Sequence, residues 1–305
     1  MAPFFDVQEV TMETLIAQIL NGLSLGSIYA LIALGYTMVY GIIQLINFAH
    51  GEILMIGAYV GYFSVAVLGL NIYMALLLSM FVSSLVGVLI ERIAYKPLRK
   101  SGRLSVLITA IGMSLLLQNG GLIVFGTDFV PFPQVIERIP YRLFGGRFVV
   151  TSHQILIFAV SILMMLLLQY IVGYTKIGMA MRAVSYDKEA ASLMGINVDN
   201  VISFTFVIGS SLGAVAGVLL GLYYQTIHPL MGFMPGLKAF VAAVLGGIGV
   251  IPGAMLGGFL LGIIEALVSG YWSTTYKDPV VFVVLIVILI VKPTGLLGKN
   301  TSEKV

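Results

Sequence analysis

The chain is built from continuous apolar runs about 20 residues long, the length that crosses a ~30 Å hydrocarbon core as helix. Hydrophobic and polar residues do not alternate within these runs, so the strands of a membrane barrel are excluded. A segment inside lipid must pair its own backbone groups, which leaves the α-helix. Composition agrees. Charged residues make up 10% of the 305 and mean hydropathy is +1.07, whereas a soluble domain carries roughly 25% charged residues. The sequence therefore predicts an all-α polytopic membrane protein, a single transmembrane domain over residues 1–305. The absence of cysteine excludes disulfides and thiolate metal sites. The net charge of +3 is no argument for nucleic acid, because the basic residues sit in short loops between apolar runs. Asp6, Glu9 and Glu13 precede the first run without any Lys or Arg. That segment lacks a signal peptide's basic region, and the first span is expected to be retained.

Eight hydrophobic units follow one another, expected to make about 8–9 transmembrane helices. Span one covers residues 14–40 and carries a small-residue stripe, Gly22, Gly26 and Ala30, suited to close helix contact. Residues 41–52 (Gly-Ile-Ile-Gln-Leu-Ile-Asn-Phe-Ala-His-Gly-Glu) are too polar for lipid and too apolar for an open loop. Non-helical backbone at membrane depth is tolerated only where protein buries it or a cavity adjoins it, so a broken or re-entrant element is expected here. Spans two and three take 53–70 and 72–90. Arg92, Lys96, Arg99, Lys100 and Arg103 then mark a cytoplasmic segment. Span four covers 104–125. The Pro- and Gly-containing loop 126–152 is placed outside, and span five, 153–172, returns inward. Span six, 201–222, carries Gly209, Gly213, Gly217 and Gly221, one every four residues, so that another backbone can approach that face. Residues 235–267 are apolar but broken at Gly246-Gly247, Gly249 and Pro252-Gly253, a second Gly-broken element, and the last span is 279–291. An outside N-terminus and an inside C-terminus require an odd number of crossings. The two broken elements occupy corresponding places in the two halves, a pointer to a transport pathway near the midplane.

Between spans five and six lies a polar loop, residues 178–200, that this topology places in the cytoplasm. Asp187 suits a helix N-cap, Glu189 falls in the first turn where the dipole favours an acid, and Gly195 suits the C′ position. Ala190, Leu193, Met194 and Asn197 fall on one narrow face. A helix of about eight residues is marginal alone in water and needs a partner surface. That surface is either the protein's own bundle or another protein.

Several superficial motifs carry no chemistry. Gly22-Leu-Ser-Leu-Gly26 and Gly209-Ser-Ser-Leu-Gly213 fit the nucleophile-elbow pattern, but both lie in apolar helices of a chain with 35 glycines. Gly247-Ile-Gly249 lacks the third glycine of a dinucleotide loop, and no Walker A sequence is present. No catalytic residue is assigned and no enzyme is expected. The three histidines do not cluster, so no metal site is assigned. Gln44, Asn47, His50, Glu52, Gly247, Gly249 and Glu265 are candidates for a translocation pathway, since ionisable groups within a membrane are costly. The alternative is structural: His50 and Glu52 cap the broken element, and Glu265 bonds a facing helix.

Glu189-Ala-Ala-x-x-x-Gly195 resembles the EAA loop of ABC-importer permeases. The stretches 21–41, 46–52 (Ile-Asn-Phe-Ala-His-Gly-Glu), 91–99 (Glu-Arg-Ile-Ala-Tyr-Lys-Pro-Leu-Arg), 107–114, 239–249 and 292–298 (Lys-Pro-Thr-Gly-Leu-Leu-Gly) resemble, in order, the branched-chain amino-acid permease family of LivH type. One departure is that no Leu-Pro pair follows Gly195 at the usual distance. The resemblance implies a permease subunit of an ATP-driven importer for branched-chain, hydrophobic or neutral amino acids in a bacterial or archaeal inner membrane. It implies a homologous second permease, two ATP-binding cassette subunits that use ATP while this chain binds no cofactor, and an extracytoplasmic amino-acid-binding protein. It also implies that Arg182, Asp187, Glu189, Ala190, Ala191, Gly195 and Asn197 couple the permease to the ATPase. Importers of urea or short-chain amides, and ion-coupled secondary amino-acid transporters, are the alternatives left open.

Overall fold

The computed structural model describes residues 12–99, 101–143 and 148–298. Asp6, Glu9, Lys100, the Gly145-Gly146 pair and the tail after Gly298 lie outside the described residues. The order is α1 (Met12–Ile43), α2 (His50–Ala66), α3 (Ile72–Ile90) running into a π-helical turn Glu91–Tyr95, and α4 (Arg103–Phe125). Then come β1 (Val130–Pro131), β2 (Pro140–Leu143), β3 (Phe148–Thr151), α5 (Ser152–Tyr174), α6 (Lys176–Tyr186) and α7 (Lys188–Leu193). The chain continues through α8 (Val198–Tyr224), β4 (Thr226–Ile227), α9 (Phe233–Gly246), α10 (Ile251–Tyr271), a 3-10 turn Thr274–Tyr276 and α11 (Lys277–Val291). Among the described residues, 7 helices are long and apolar enough to cross a membrane: α1, α3, α4, α5, α8, α10 and α11. The helices α2 and α9 are shorter, at 17 and 14 residues.

Two helices form the core. Residues 24–39 of α1 are buried without a gap. The most apolar window of α8 is 89% buried, against 6% for the last span, which fixes α8 as central and α11 as peripheral. A helix that is apolar all round is stable only when surrounded, by protein or by lipid. The peripheral helices α3, α4, α5 and α11 leave Leu77, Phe81, Leu116, Ile123, Leu166 and Ile290 exposed, the surface a hydrocarbon solvent accepts.

Contact between helices runs through small residues. On α1, a Cβ added to Gly26 would lie 2.9 Å from the backbone of Gly258 and Phe259 on α10, and one at Gly22 would lie 2.7 Å from Ile263. Along α8, Gly209 faces Gly35 of α1, Gly213 faces the His50 ring, Gly217 meets the Leu54 carbonyl of α2, and Gly221 meets Phe132. Apolar packing of this kind substitutes for a hydrophobic driving force, which lipid does not supply between helices.

The loop 126–152 carries structure that composition did not announce. Strands β1 and β4 pair antiparallel, Val130 opposite Ile227, and β2 and β3 form a hairpin with Pro140 opposite Thr151. Thr151 then caps α5 in a reciprocal capping box with Gln154, whose amide also donates to Asn21 Oδ1 on α1 at 2.8 Å.

Candidate functional site

At the end that carries Arg92, Lys96 and Arg99, a short helical element hangs from the bundle. Thr175 caps α6 by accepting from Gly178 N at 3.1 Å. Arg182 donates back to the carbonyls of Val172 and Gly173, the latter at 3.1 Å, so a cation closes the C-terminus of α5. The first part of the polar loop is therefore helix α6, Lys176–Tyr186. Asp187 caps α7 and accepts from Glu189 N and Ala190 N, both at 2.9 Å. The far end of α7 is a Schellman closure. Gly195, at φ +83°, donates to Ser192 O, and Ile196 donates to Ala191 O, both at 3.0 Å. Asn197 belongs to the next helix, where it caps α8 by accepting from Asn200 N at 3.0 Å.

One small side chain, Ala191, is buried against the bundle. Glu189 and Ala190 are exposed, and Tyr186, Leu193 and Met194 are 90%, 89% and 83% exposed, an apolar tip left uncovered by the described residues. Lys188 reaches the Ile43 carbonyl at the end of α1, at 3.4 Å. Burial, then nearby Arg99, lowers its titration below the ordinary lysine value. Beside it, Asp199 at the start of α8 pairs with Lys96 at 2.8 Å and Arg99 at 2.6 Å. Arg99 also pairs with buried Glu91, which accepts from Ser203 at 2.8 Å.

The helical path is interrupted twice. Between α1 and α2, residues 44–49 are not α-helical, with Gly41 still in α1 and Gly51 already in α2. Gln44, at φ +61°, makes the left-handed turn that ends α1. Asn47 is buried and accepts from the Tyr95 hydroxyl at 3.0 Å, which joins this interruption to the basic segment. His50 packs edge-on to Tyr36 with ring centroids 4.7 Å apart. The capping expected of His50 and Glu52 is absent: the first turn of α2 has no side-chain cap. Glu52 instead accepts from Ser114 on α4 at 3.4 Å, while its Oε2 has no hydrogen-bond partner among the described residues. The second interruption, 247–250, separates α9 from α10. Gly247 and Gly249 there take φ of +108° and +88°, and a Cβ on Gly41 would lie 3.7 Å from Gly249, so the last turn of α1 adjoins the second interruption.

At the other end of the bundle, Glu265 on α10 binds Lys238 Nζ on α9 at 2.8 Å and accepts from the Tyr29 hydroxyl on α1 at 2.8 Å. Lys238 also pairs with Asp278 Oδ1 at the start of α11, at 2.5 Å. Its ammonium lies 5.9 Å from the centre of the Tyr29 ring. Tyr29, Lys238 and Asp278 were missed from sequence. A signal existed, since Lys238 and Glu265 are the two charges of the stretch 235–267 and a buried charge needs a partner. The cluster borders a cavity of about 350 Å³ with Leu220, Met231 and Met234 among its walls. His228 stands at its rim against Phe129, ring centroids 4.7 Å apart, and burial lowers its titration below the usual imidazole value.

Residues 18–289 match the family described as "Branched-chain amino acid transport system / permease component". The chain belongs to this family. It is 51% identical to the high-affinity branched-chain amino acid transport system permease protein LivH of Escherichia coli K12, over 94% of this chain and 97% of that protein. It is 47% identical to the corresponding permease protein BraD of Pseudomonas aeruginosa, again over 94% and 97%. In fold it is similar to a metal-chelate type ABC transporter captured in an inward-facing conformation. The TM-score is 0.52 with 15% identity, covering 93% of this chain and 89% of that one. The family and the seven long apolar helices make it a multi-pass inner-membrane permease.

Proposed function

We propose that the chain is the membrane permease subunit of an ATP-driven importer of branched-chain amino acids, and that α7 is its docking helix for an ATP-hydrolysing partner. The observation that carries this reading is the apolar tip Tyr186, Leu193 and Met194. It stands exposed on an element tied by Arg182 to α5 and by Lys188 to α1. A helix of 6 residues that buries a single alanine on its own bundle gains little there, whereas its tip offers apolar area to a groove on another protein. Displacement of α7 would pull directly on the ends of two spanning helices.

In this arrangement the basic end is cytoplasmic by the positive-inside rule, and ATP is bound and hydrolysed by two separate cassette subunits. A second, homologous permease and an extracytoplasmic binding protein complete the complex. About 8–9 crossings are reached by counting α2 and α9, and the two interruptions form the hinge region of the pathway, the second of them against the end of α1 where Gly41 meets Gly249. Gln44, Asn47, His50, Glu52, Gly247, Gly249 and Glu265 shape that pathway, and the Gly209–Gly221 stripe holds the helices together.

The test is uptake of radiolabelled leucine into proteoliposomes holding this chain with its partner subunits and binding protein. Uptake that requires enclosed ATP and the cassette subunits is expected. Uptake by the permease alone on a sodium or proton gradient would overturn the reading.

A further inference from the structure

The cavity at the outer end of α9–α11 combines features that the packing of a permease does not need. Its volume, about 350 Å³, lies in the range of small-molecule pockets. Leu220, Met231 and Met234 give it apolar walls, and Lys238, Lys277 and Asp278 bring both signs of charge to its lining. The Lys238 side chain is 4% exposed and lies between two carboxylates, Glu265 at 2.8 Å and Asp278 at 2.5 Å. Glu265 is 3% exposed and holds a second donor, Tyr29, so its pairing is closed in. Asp278 is different. Its side chain is 37% exposed and lines the cavity.

A buried charge is tolerable only while paired, and removing one partner leaves the other uncompensated. Separating Lys238 from Asp278 leaves the lysine with Glu265 alone and takes the cation from Asp278, so a ligand seated between them restores both lost contacts if it brings an anion for the lysine and a cation for the aspartate. An amino-acid zwitterion brings both on adjacent atoms, and its side chain finds the leucine and methionine walls. We infer that this cavity is a transit subsite for a neutral amino acid with an aliphatic side chain, whose zwitterion inserts into the Lys238–Asp278 ion pair. The α-carboxylate accepts from Lys238, the α-ammonium donates to Asp278, and Glu265 with Tyr29 holds Lys238 in place. Charge in the cavity is the same before and after. This subsite rests on the importer reading above.

The chain has no cysteine, so a single one reports cleanly. Leu230 lines the cavity and is 44% exposed, and Phe129, at 70%, lines the same rim. Leu230→Cys, or Phe129→Cys if the first does not assemble, is made in the complete complex in proteoliposomes, and alkylation at that position is read by mass on this chain. Millimolar leucine is expected to slow alkylation several-fold. 4-Methylpentanoate, which lacks the ammonium, and leucinamide, which lacks the carboxylate, are expected to leave it unchanged, and Asp278→Asn to remove the protection by leucine. No slowing by leucine, or equal slowing by all three compounds, would overturn the subsite. Leucine uptake by the unmutated complex is measured alongside. Uptake without protection defeats the subsite alone, and absence of ATP-dependent uptake defeats the importer reading and the subsite's role with it.

Discussion

The Lys188 ammonium donates to the Ile43 carbonyl at 3.4 Å, which hangs helix α7 from the last turn of α1. A cation at a helix C-terminus meets the negative end of the dipole and an unpaired carbonyl together. Lys188→Met should therefore leave the complex assembled and ATP hydrolysis running, while leucine uptake per ATP hydrolysed falls. An unchanged ratio would mean that this tie carries no motion.

Lys188 also has a pH signature. Its folded-state titration is lowered, by burial first and by Arg99 second. Between that value and the unfolded value of about 10.4 the unfolded chain binds more protons than the folded one. Stability therefore rises with pH across this alkaline window. Melting curves of wild type and Lys188→Met should converge or separate in that sense, the wild type gaining relative to the variant as pH climbs. A relative loss would show that the ion contact outweighs burial.

Gly195 tests the shape of the α7 tip separately from its chemistry. It sits at φ +83° with no heavy atom within 4 Å of an added Cβ, so Gly195→Ala adds backbone strain without a clash. A cost of about 1 kcal/mol to the closure of this helix is expected, seen as weaker coupling in a normally inserted protein. Gly195→Pro also removes the N–H donated to Ser192 and should abolish ATP-driven uptake.

Much of this end was legible in the sequence because its signals are local. The Asp187 cap and the Gly195 closure are set by residues within one turn. Asn197, read as part of the same apolar face, instead caps the next helix. Distant pairings were not legible. Lys238 and Asp278 meet across the start of a separate helix, and β1 pairs with β4 through two residues on each side, too few for any periodicity to show. The first interruption was expected to break at glycine. The left-handed turn falls instead on Gln44, three residues before Asn47, which accepts from the Tyr95 hydroxyl.

The glycines of α8 separate packing from flexibility. A Cβ on Gly217 would collide with the Leu54 carbonyl, whereas one on Gly112 in α4 meets nothing within 4 Å. Gly217→Ala should cost about 1–3 kcal/mol or more through separation of α2 from α8, while Gly112→Ala should be neutral or stabilising by about 0.5–1 kcal/mol. Thermal unfolding in detergent orders the two. Equal melting temperatures would mean that the α2–α8 approach is not tight.

The buried pair predicts a non-additive cycle. Lys238→Met leaves buried Glu265 without its cation and should destabilise by about 3–5 kcal/mol, whereas Glu265→Gln leaves Lys238 with Asp278 alone and should cost less. The double variant should recover a large part of that loss. Additive losses would mean that the two side chains do not share one interaction.

Cross-linking from α7 bears most directly on the docking role. Leu193→Cys, at the exposed tip, and Leu116→Cys, on the apolar surface of α4, are placed in the complex beside the ATPase subunit and treated with a short thiol cross-linker. Position 193 should give a product containing the ATPase, and labelling of this cysteine should occur only from the cytoplasmic side, while position 116 gives no such product. Labelling of position 193 from outside, or an ATPase product from 116 and none from 193, would contradict α7 as the docking helix.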